Sequence, residues 1–230
     1  MGKITFFCRI FVKNQGMKAN LFSQETVTAR DGSQITFTFY AHASIAVTVG
    51  GRRIYFDPVG ENIAWESQPK ADLVLITHDH FDHLDRNVVK TLNGTGEFVK
   101  MKPGETLQPF DGVTVEAVPA YNITEGHLQF HPKDRGDAGY ILTAGGSRIY
   151  VAGDTEDNED VLAIRDIDIA FLPVNQPYTM TVEQCVRVVE AIRPKIFYPY
   201  HFGGTDTVTD IDALVAALKD ITDIRVRPLE

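Results

Sequence analysis

The stretch Ala71–His83 reads ADLVLITHDHFDH, and it carries the strongest signal in the chain for both the fold and the site. Its first half is a short apolar run rich in Leu and β-branched residues, which is typical of a buried strand ending near Thr77. Its second half contains three of the chain's seven histidines. Because neutral imidazole is the commonest metal ligand and loops at strand ends carry chemistry, we interpret this half as a metal site rather than a helix cap or a solvated turn.

The spacing within the motif indicates two neighbouring metal ions. His78 and His80 are two residues apart on an extended segment, so they share a face and can bind one ion. Asp82 and His83 follow where the chain turns toward a helix predicted over Leu84–Leu92, so they can point to a second ion. Zinc is the default ion for a site rich in imidazole, and manganese and iron are the alternatives.

Three other strand ends present side chains that suit a divalent metal. Asp57 follows RIYF, Asp154 follows IYVAG, and His201 follows KIFYPY. Taken alone, Asp154 fits a turn or a helix cap equally well, and His201 fits a buried core histidine. Their joint occurrence is expected where active-site loops gather on one edge of a sheet.

The chain also repeats an order of elements. TVGGRRIYFD at residues 48–57 returns as TAGGSRIYV at residues 143–151, and each copy is followed by an apolar strand that begins with Asp. Glycine pairs of this kind form hairpin turns. We therefore predict two related halves, each a sheet with helices, packed sheet against sheet with the metals at the shared edge.

This set of motifs, over about residues 35 to 204, resembles the metallo-β-lactamase superfamily. The segments AHAS (41–44), PAYN (119–122), FHPK (130–133) and PYHFG (199–203) are most similar to its small single-domain hydrolases, which are related to the L-ascorbate phosphate lactonases and the N-acyl-phosphatidylethanolamine phospholipase D enzymes. The resemblance implies an α+β fold, a four-layer αββα sandwich of two mixed β-sheets flanked by helices.

The resemblance also implies roles for the site residues. His78 and His80 would bind the first metal, and Asp82, His83 and His201 the second. Asp154 would bridge the two ions, and we assign Asp154, Asp82 and His201 as the catalytic groups. Asp57 would orient a ligand imidazole, and His42 would assist it or contact substrate, with a plain surface or core histidine as the alternative.

The third ligand of the first metal departs from the superfamily pattern. The usual position is a histidine just after the strand VTVEAVPA, where this chain has Asn122. An amide oxygen is a weak zinc ligand, and both His127 and His131 follow closely enough to reach back. We predict His131, because Pro132 stiffens the chain beside it. Asn122 would then hold the loop or bind substrate, and the alternative is that neither histidine is a ligand.

The predicted function is a hydrolase that uses a metal-bound hydroxide on an ester, lactone, phosphodiester or amide bond of a small molecule. The loops 121–134 and 175–180 are expected to shape the pocket, where Phe130, Tyr178 and Lys133 suit a moderately polar ligand with an anionic part. Two alternatives remain: a di-iron redox protein and a non-catalytic metal-binding protein. In the flavodiiron branch a glutamate replaces the second histidine of the motif, whereas this chain keeps His80.

Composition limits the remaining possibilities. With 230 residues, 43% of them hydrophobic, and no low-complexity linker, the chain can form a single domain over residues 21–230. The net charge of −9 argues against a nucleic-acid partner. Two cysteines, Cys8 and Cys185, form no disulfide framework, and Cys185 is expected on the buried face of a helix. The sequence says nothing about the oligomeric state.

The first twenty residues differ from the rest. They carry basic residues and no acid around two short apolar runs, which are too short to span a bilayer and lack a small-residue cleavage site. We expect residues 1–20 to be an arm or an upstream extension. This favours a cytoplasmic location without membrane insertion, with a periplasmic location as the alternative.

Overall fold

Two β-sheets form the centre of the molecule. The computed structural model describes residues 22–60, 62–203 and 208–227. The first sheet has five strands in the spatial order β1-β2-β3-β4-β5. They are β1 (Ser23–Thr28), β2 (Gln34–Phe39), β3 (Ile45–Val49), β4 (Arg52–Phe56) and β5 (Leu73–Leu75). The second sheet has seven strands in the order β12-β11-β10-β9-β8-β7-β6. They are β6 (Thr106–Phe110), β7 (Val113–Pro119), β8 (Ala138–Ala144), β9 (Ser147–Val151), β10 (Ile169–Pro173), β11 (Ile196–Tyr200) and β12 (Asp223–Ile224).

Helices cover the outer face of each sheet. The α-helices of the described residues are α1 (Arg86–Asn93), α2 (Glu159–Leu162), α3 (Val182–Ile192) and α4 (Ile211–Leu218). Helix α1 packs Val88, Val89 and Leu92 on the first sheet, whereas α2, α3 and α4 pack on the second. The layers therefore run helix, sheet, sheet, helices, which confirms the predicted four-layer αββα sandwich.

Aromatic side chains fill the space between the two sheets. Phe37 and Phe39 of β2 face Phe171 of β10 and Tyr198 of β11, and all four are fully buried. The Phe37 and Phe171 ring centroids are 5.4 Å apart, and those of Phe39 and Tyr198 are 5.0 Å apart. Large aromatic rings at these separations stabilise a core beyond the area that they bury. This core fixes the two sheets against each other and so fixes the loops at their edge.

The internal repeat is visible in the topology. Strands β3 and β4 form an antiparallel hairpin through Gly50 and Gly51, and β8 and β9 form one through Gly145 and Gly146. All four glycines have positive φ, which two-residue turns of this type require. In each half the strand that follows, β5 or β10, then pairs in parallel with the second strand of the hairpin.

The predicted helices are present with small shifts at their ends. Helix α1 begins at Arg86, two residues later than expected, because the Asp85 carboxylate accepts hydrogen bonds from the backbone N–H groups of Asn87 and Val88. Helix α3 begins after Thr181, whose side chain forms a capping box with Gln184, and Cys185 on it is fully buried, as expected. Helix α4 begins after Asp210, whose side chain accepts a hydrogen bond from the backbone N–H of Ala213, and ends at Leu218.

Two sequence predictions concern the extent of the domain and the segment before it. The arm or extension expected over residues 1–20 lies outside the described residues. The single domain expected over residues 21–230 stays a prediction. Among the helices that the structure describes, none is both long enough and apolar enough to cross a membrane.

Candidate metal centre

The candidate site lies where several strands end at one edge of the sandwich. His78 follows β5, Asp154 follows β9 and His201 follows β11. Strand β4 pairs in parallel with β5, and β9, β10 and β11 are parallel neighbours. Parallel strands bring their carboxyl ends to the same edge, which places these loops side by side. Six of the seven histidines meet there.

The first group of candidate ligands is a triad of imidazoles. His78, His80 and His131 each offer a nitrogen, and these atoms lie within 4.8 Å of one another. The ring centroids of His78 and His131 are 5.0 Å apart, and those of His78 and His80 are 4.5 Å apart. Three imidazoles at this separation fit the tetrahedral preference of zinc, with a fourth position left for water or substrate.

The loop after β7 brings His131 into this triad, and His127 lies elsewhere. His131 is buried, and its carbonyl accepts a hydrogen bond from the backbone N–H of Asn122 (2.8 Å). His127 instead has Nδ1 3.5 Å from Oε1 of the buried Glu156. His127 belongs to no group of His, Cys, Asp or Glu side chains close enough to hold a metal among the described residues.

Asn122 holds the loop in place. Its side-chain amide donates hydrogen bonds to the carbonyls of Tyr178 (2.8 Å) and His127 (3.3 Å). These bonds join the loop after β7 to the loop after β10, so Asn122 has the loop-holding position that the sequence suggested as one of its two roles.

The second group contains His42, Asp82, His83 and His201, whose ligand atoms also lie within 4.8 Å of one another. Nε2 of His42 and Oδ2 of Asp82 are 3.1 Å apart, and Nε2 of His201 is 3.8 Å from the same oxygen. The sequence offered His42 a supporting or substrate-contacting position. The structure places it among the candidate ligands, with its ring centroid 3.7 Å from that of His201.

Asp154 lies between the two groups. Its Oδ1 atom is 3.3 Å from Nε2 of His83. Its Oδ2 atom is 3.3 Å from Nε2 of His131 and 3.3 Å from Nε2 of His201. Because His131 belongs to the first group and His201 to the second, one carboxylate faces both. Gly153 permits this approach, since its φ is +65° and a Cβ there would lie 3.0 Å from Cβ of Thr77.

Asp57 accepts hydrogen bonds from residues of the histidine motif and so holds them in place. It is buried, and its Oδ2 accepts hydrogen bonds from Oγ1 of Thr77 (2.6 Å) and from Nδ1 of His83 (2.8 Å). Its Oδ1 accepts a hydrogen bond from the Thr77 backbone N–H (2.8 Å). A carboxylate that accepts from one ring nitrogen fixes the tautomer and leaves the other nitrogen free to bind a metal.

Three site residues have left-handed backbone conformations. The φ angles of His42, Asp57 and His201 are +55°, +45° and +51°. Such angles cost non-glycine residues roughly 1–2 kcal/mol each and persist where the surrounding structure enforces them. The backbone N–H of His201 donates to the carbonyl of His42 (3.2 Å), which joins two of these turns across the sheets.

Unpartnered polar atoms test whether these residues fit a metal. Thirteen buried side-chain polar atoms of the described residues have no hydrogen-bond partner, and four of them are Nε2 of His78, His83 and His201 and Oδ1 of Asp154. Buried polar atoms are normally paired, and each unpaired one costs about 1–3 kcal/mol. The three histidines belong to the two ligand groups, and Asp154 forms with His78 and His83 a third group that overlaps both. The donor set therefore fits divalent metal ions of the kind that bind imidazole and carboxylate.

Burial and neighbouring charges shift the pKa values of the site histidines in different directions. Burial lowers the pKa of His83, but the carboxylates of Asp154 and Asp57 outweigh it and raise the pKa well above 6.5. Burial and the neighbouring His83 hold the pKa of His78 well below 6.5, so His78 is a neutral imidazole at pH 7. Burial raises the pKa of Asp154, but His201 and His83 outweigh it and hold the pKa well below 3.8.

Asp82 is ionised at all ordinary pH values. Burial raises the pKa of its carboxyl, but the hydrogen bond with His42 and the charge of His83 lower it to about 2. Its side chain is 30% exposed, so this carboxylate also reaches the solvent-accessible part of the site.

Arg135 and Asn175 belong to the site without any signal in the sequence. Nη1 of Arg135 lies 2.8 Å from Nε2 of His80, and Nη2 lies 2.9 Å from Nδ1 of His131. The side-chain amide of Asn175 forms a hydrogen bond with Nδ1 of His201 (3.1 Å). Only the folded loops bring these residues to the histidines, and no spacing rule predicts such contacts.

A cavity of about 470 Å³ opens over the site. Five candidate ligands face it, namely His80, Asp82, His131, Asp154 and His201. The other lining residues are Asp79, Phe81, Phe130, Asn175 and Tyr178. Phe130 and Tyr178 line it as the sequence suggested, but Lys133 does not. Lys133 instead donates to the Tyr121 hydroxyl (3.0 Å) and to Oδ2 of Asp160 (3.3 Å), which hold it away from the cavity.

Comparisons with known proteins show the family to which the chain is similar. The model of the β-lactamase superfamily domain matches residues 36–201. A UPF0173 metal-dependent hydrolase from Pyrobaculum arsenaticum is 30% identical over 194 residues, which cover 71% of this chain and 82% of that protein. A crystal structure of a protein from Parabacteroides distasonis, described as a metal-dependent hydrolase, is 42% identical with a TM-score of 0.83 and covers 91% of this chain and 100% of its own.

One more distant structure shares the fold alone. CmlA, a diiron β-hydroxylase from Streptomyces venezuelae, is 17% identical with a TM-score of 0.63, and the match covers 85% of this chain and 53% of CmlA. The same sandwich therefore carries oxidative as well as hydrolytic chemistry in other proteins.

Proposed function

The chain belongs to the metallo-β-lactamase superfamily, among relatives named as metal-dependent hydrolases, and from this premise we propose that it is a dinuclear metal-dependent hydrolase. Its reaction is the hydrolysis of an ester, lactone, phosphodiester or amide bond of a small molecule. The proposal rests on the position of Asp154. Its carboxylate lies 3.3 Å from His131 of the first group and 3.3 Å from His201 of the second group.

The two metal positions follow from the two ligand groups. His78, His80 and His131 would hold the first ion, and Asp82, His83 and His201 the second, with Asp154 shared between them. His42 lies close enough to be a further ligand of the second ion. The preferred ion is zinc, with manganese and iron as the alternatives that the same donors accept.

The chemistry divides between the ions and the protein. Divalent ions held there would lower the pKa of water and polarise the oxygen of the scissile group. The protein's own residues fix the geometry: Asp57 orients His83 and Asn175 orients His201. Asp82 and Asp154 are the ionised carboxylates that face both the cavity and the ligand groups, so they are placed to accept a hydrogen bond from the attacking water.

Redox chemistry is the main alternative, and His80 weighs against it. A glutamate takes this position in the flavodiiron branch, whereas His80 here lies in the triad with His78 and His131. Measuring the metal and the activity together separates the two functions. A hydrolase with zinc turns over ester, lactone or phosphodiester probes, and a di-iron protein has iron with a redox-dependent absorption spectrum.

The test of the proposed function begins with purified protein and its metal content by mass spectrometry. We expect close to two divalent ions per chain and hydrolysis of at least one probe class. Removal of the ions with a chelator should abolish the activity, and return of zinc should restore it. A fully metal-loaded protein without activity on any probe class would leave a non-catalytic metal-binding protein as the better interpretation.

A further inference from the structure

An aromatic side chain is exposed at the mouth of the cavity. Phe81 lies between His80 and Asp82 in the sequence, lines the cavity, and is 89% exposed. Among the large exposed hydrophobic residues that the structure describes, it is the one aromatic residue. Single exposed apolar side chains are common, but burial of a phenylalanine side chain is strongly favourable, so an exposed ring in a cavity wall favours contact with a ligand.

Two more aromatic residues line the same cavity. The rings of Phe130 and Tyr178 meet edge to face, with centroids 4.9 Å apart and an interplanar angle of 69°. Their loops are joined by Asn122, which bonds the Tyr178 carbonyl and the backbone of the Phe130 loop. This part of the wall is therefore held by packing and hydrogen bonds, as a binding surface requires.

The charges around the cavity disfavour an anionic substrate. Its lining, within the described residues, contains three carboxylates and no Lys or Arg. The nearby cations are engaged: Lys100 donates to Asp79 (2.7 Å), and Arg135 is hydrogen-bonded to Asp137, His80 and His131. Asp82 and Asp154 would offset half of the charge of two divalent ions, and the described lining offers no Lys or Arg to a phosphate or carboxylate on the substrate.

We propose that Phe81, Phe130 and Tyr178 form a binding surface for an uncharged apolar group, such as a phenyl ring, carried by the substrate beside the bond that is cleaved. The proposal rests on the proposed hydrolase function and narrows it to substrates with an apolar acyl group. It replaces the expectation, based on Lys133, of a ligand with an anionic part. Phe81 is the specificity-determining residue, because it is the most exposed of the three.

Three methyl esters test the preference without a second aromatic group: methyl acetate, methyl phenylacetate and monomethyl succinate. We expect kcat/KM for methyl phenylacetate to exceed that for methyl acetate at least tenfold, and monomethyl succinate to gain nothing over methyl acetate. Phe81→Ala should remove most of the phenyl preference. Leu128→Ala removes a large exposed side chain from the loop that carries Phe130 but not from the cavity lining, and it should keep the preference.

A binding experiment separates this proposal from the hydrolase function. Acetohydroxamic and phenylacetohydroxamic acids bind divalent metals without needing hydrolysis, and their Kd values for the metal-loaded protein can be measured by calorimetry. We expect the phenyl group to improve Kd at least tenfold in the parent protein and much less in Phe81→Ala. If this holds while no ester, lactone, phosphodiester or amide probe is cleaved, the surface stands and the hydrolase function fails.

Other results would overturn the proposal while leaving the hydrolase function intact. These are ester hydrolysis without a phenyl preference, a preference for monomethyl succinate, or a phenyl preference that Phe81→Ala leaves unchanged. A Kd for phenylacetohydroxamic acid no better than that for acetohydroxamic acid would also overturn the proposal. A change of oligomeric state on Phe81→Ala, with the preference unchanged, would assign the ring to contact between copies of the chain instead.

Discussion

Asp57 and His83 form a buried pair in which Nδ1 of His83 donates to Oδ2 of Asp57 at 2.8 Å. The same carboxylate holds the Thr77 backbone and hydroxyl, immediately before His78. The Asp57 side chain at the end of β4 therefore fixes Thr77, which precedes His78, and His83, which ends the motif. This relationship makes Asp57 a positioning residue whose loss affects metal binding before it affects any chemical step.

The first prediction is that Asp57→Asn weakens metal binding about 10- to 100-fold, which is typical for loss of a carboxylate that orients a ligand histidine. In this variant the amide can present its NH2 group to Nδ1 of His83. The side chain then no longer fixes the tautomer that leaves Nε2 of His83 available to a metal. Competition with a chromogenic chelator measures the affinity. Asp111→Asn, an exposed carboxylate outside the site, is the control and should leave the affinity unchanged.

The second prediction concerns Asp154→Ala. Because this carboxylate faces both ligand groups, its loss should reduce the metal content below two ions per chain and remove hydrolytic activity. Circular dichroism should show the fold retained, since the two-sheet core lies apart from Asp154. Full metal content together with full turnover in this variant would show that the two groups do not share a ligand at Asp154.

The sequence predicted the parts of this site that depend on local order. The motif from His78 to His83, the strand ends at Asp57, Asp154 and His201, and the repeated hairpins are all local features, and the structure contains them. Caps at Thr181 and Asp210 were predictable for the same reason, because a cap acts within one helical turn.

Contacts between distant loops were not predictable from one sequence. Arg135 meets His80 across 55 residues, and Asn175 meets His201 across 26. The left-handed backbone at His42 and His201 gave no sequence signal either, because positive φ is uncommon for any one histidine even though histidine is enriched in that region. Such features depend on the packing of the two sheets, which brings the turns together.

The third prediction is that acid and metal compete at His83. In the metal-free protein Asp154 and Asp57 raise the pKa of His83 well above 6.5 despite burial. The proton on His83 therefore stabilises the metal-free fold fully below pH 6.5, and this stabilisation is lost as pH rises through the raised pKa. Metal binding must displace that proton, so metal affinity should increase as pH rises.

Thermal unfolding measures this competition. The difference in Tm between metal-loaded and chelator-treated protein should grow from pH 6 to pH 9, and activity lost in acid should return when metal is added at neutral pH. In the metal-free protein, the stabilisation from Asp154 is present above its ordinary pKa of 3.8 and is lost only as pH falls through its lowered pKa. A Tm difference that is constant with pH, or activity that is unchanged down to about pH 4, would contradict the assignment of these histidines as ligands.

The fourth prediction is that Arg135→Gln strengthens metal binding at the first triad. The guanidinium lies within hydrogen-bond distance of His80 and His131, and a divalent ion held by them would be roughly 6 Å from it. Even in water, that repulsion costs about 1.4 kcal/mol, which corresponds to about a tenfold weaker affinity for the metal. The variant also frees Asp137, whose Oδ2 is 3.9 Å from Nδ1 of His131, to accept from that ring.

Zinc titration calorimetry can follow this change, with Arg165→Gln as the matched control. Arg165 donates to the carbonyls of Leu162 and Ile164 and has no contact with the site, so its loss should leave the zinc affinity unchanged. A weaker first site in Arg135→Gln would mean that Arg135 positions the two imidazoles more than it repels the ion.

The last prediction decides the third ligand of the first metal. His131 is buried beside His78 with Nε2 3.3 Å from Asp154, whereas His127 is a quarter exposed and faces Glu156. His131→Ala should therefore lose one of the two ions, or bind it much more weakly, and His127→Ala should keep both. Both variants remove an imidazole from the same loop, so each serves as the control for the other, and metal content with chelator competition gives the result. If His131→Ala bound two ions as tightly as the parent while His127→Ala lost one, the first triad would be wrong.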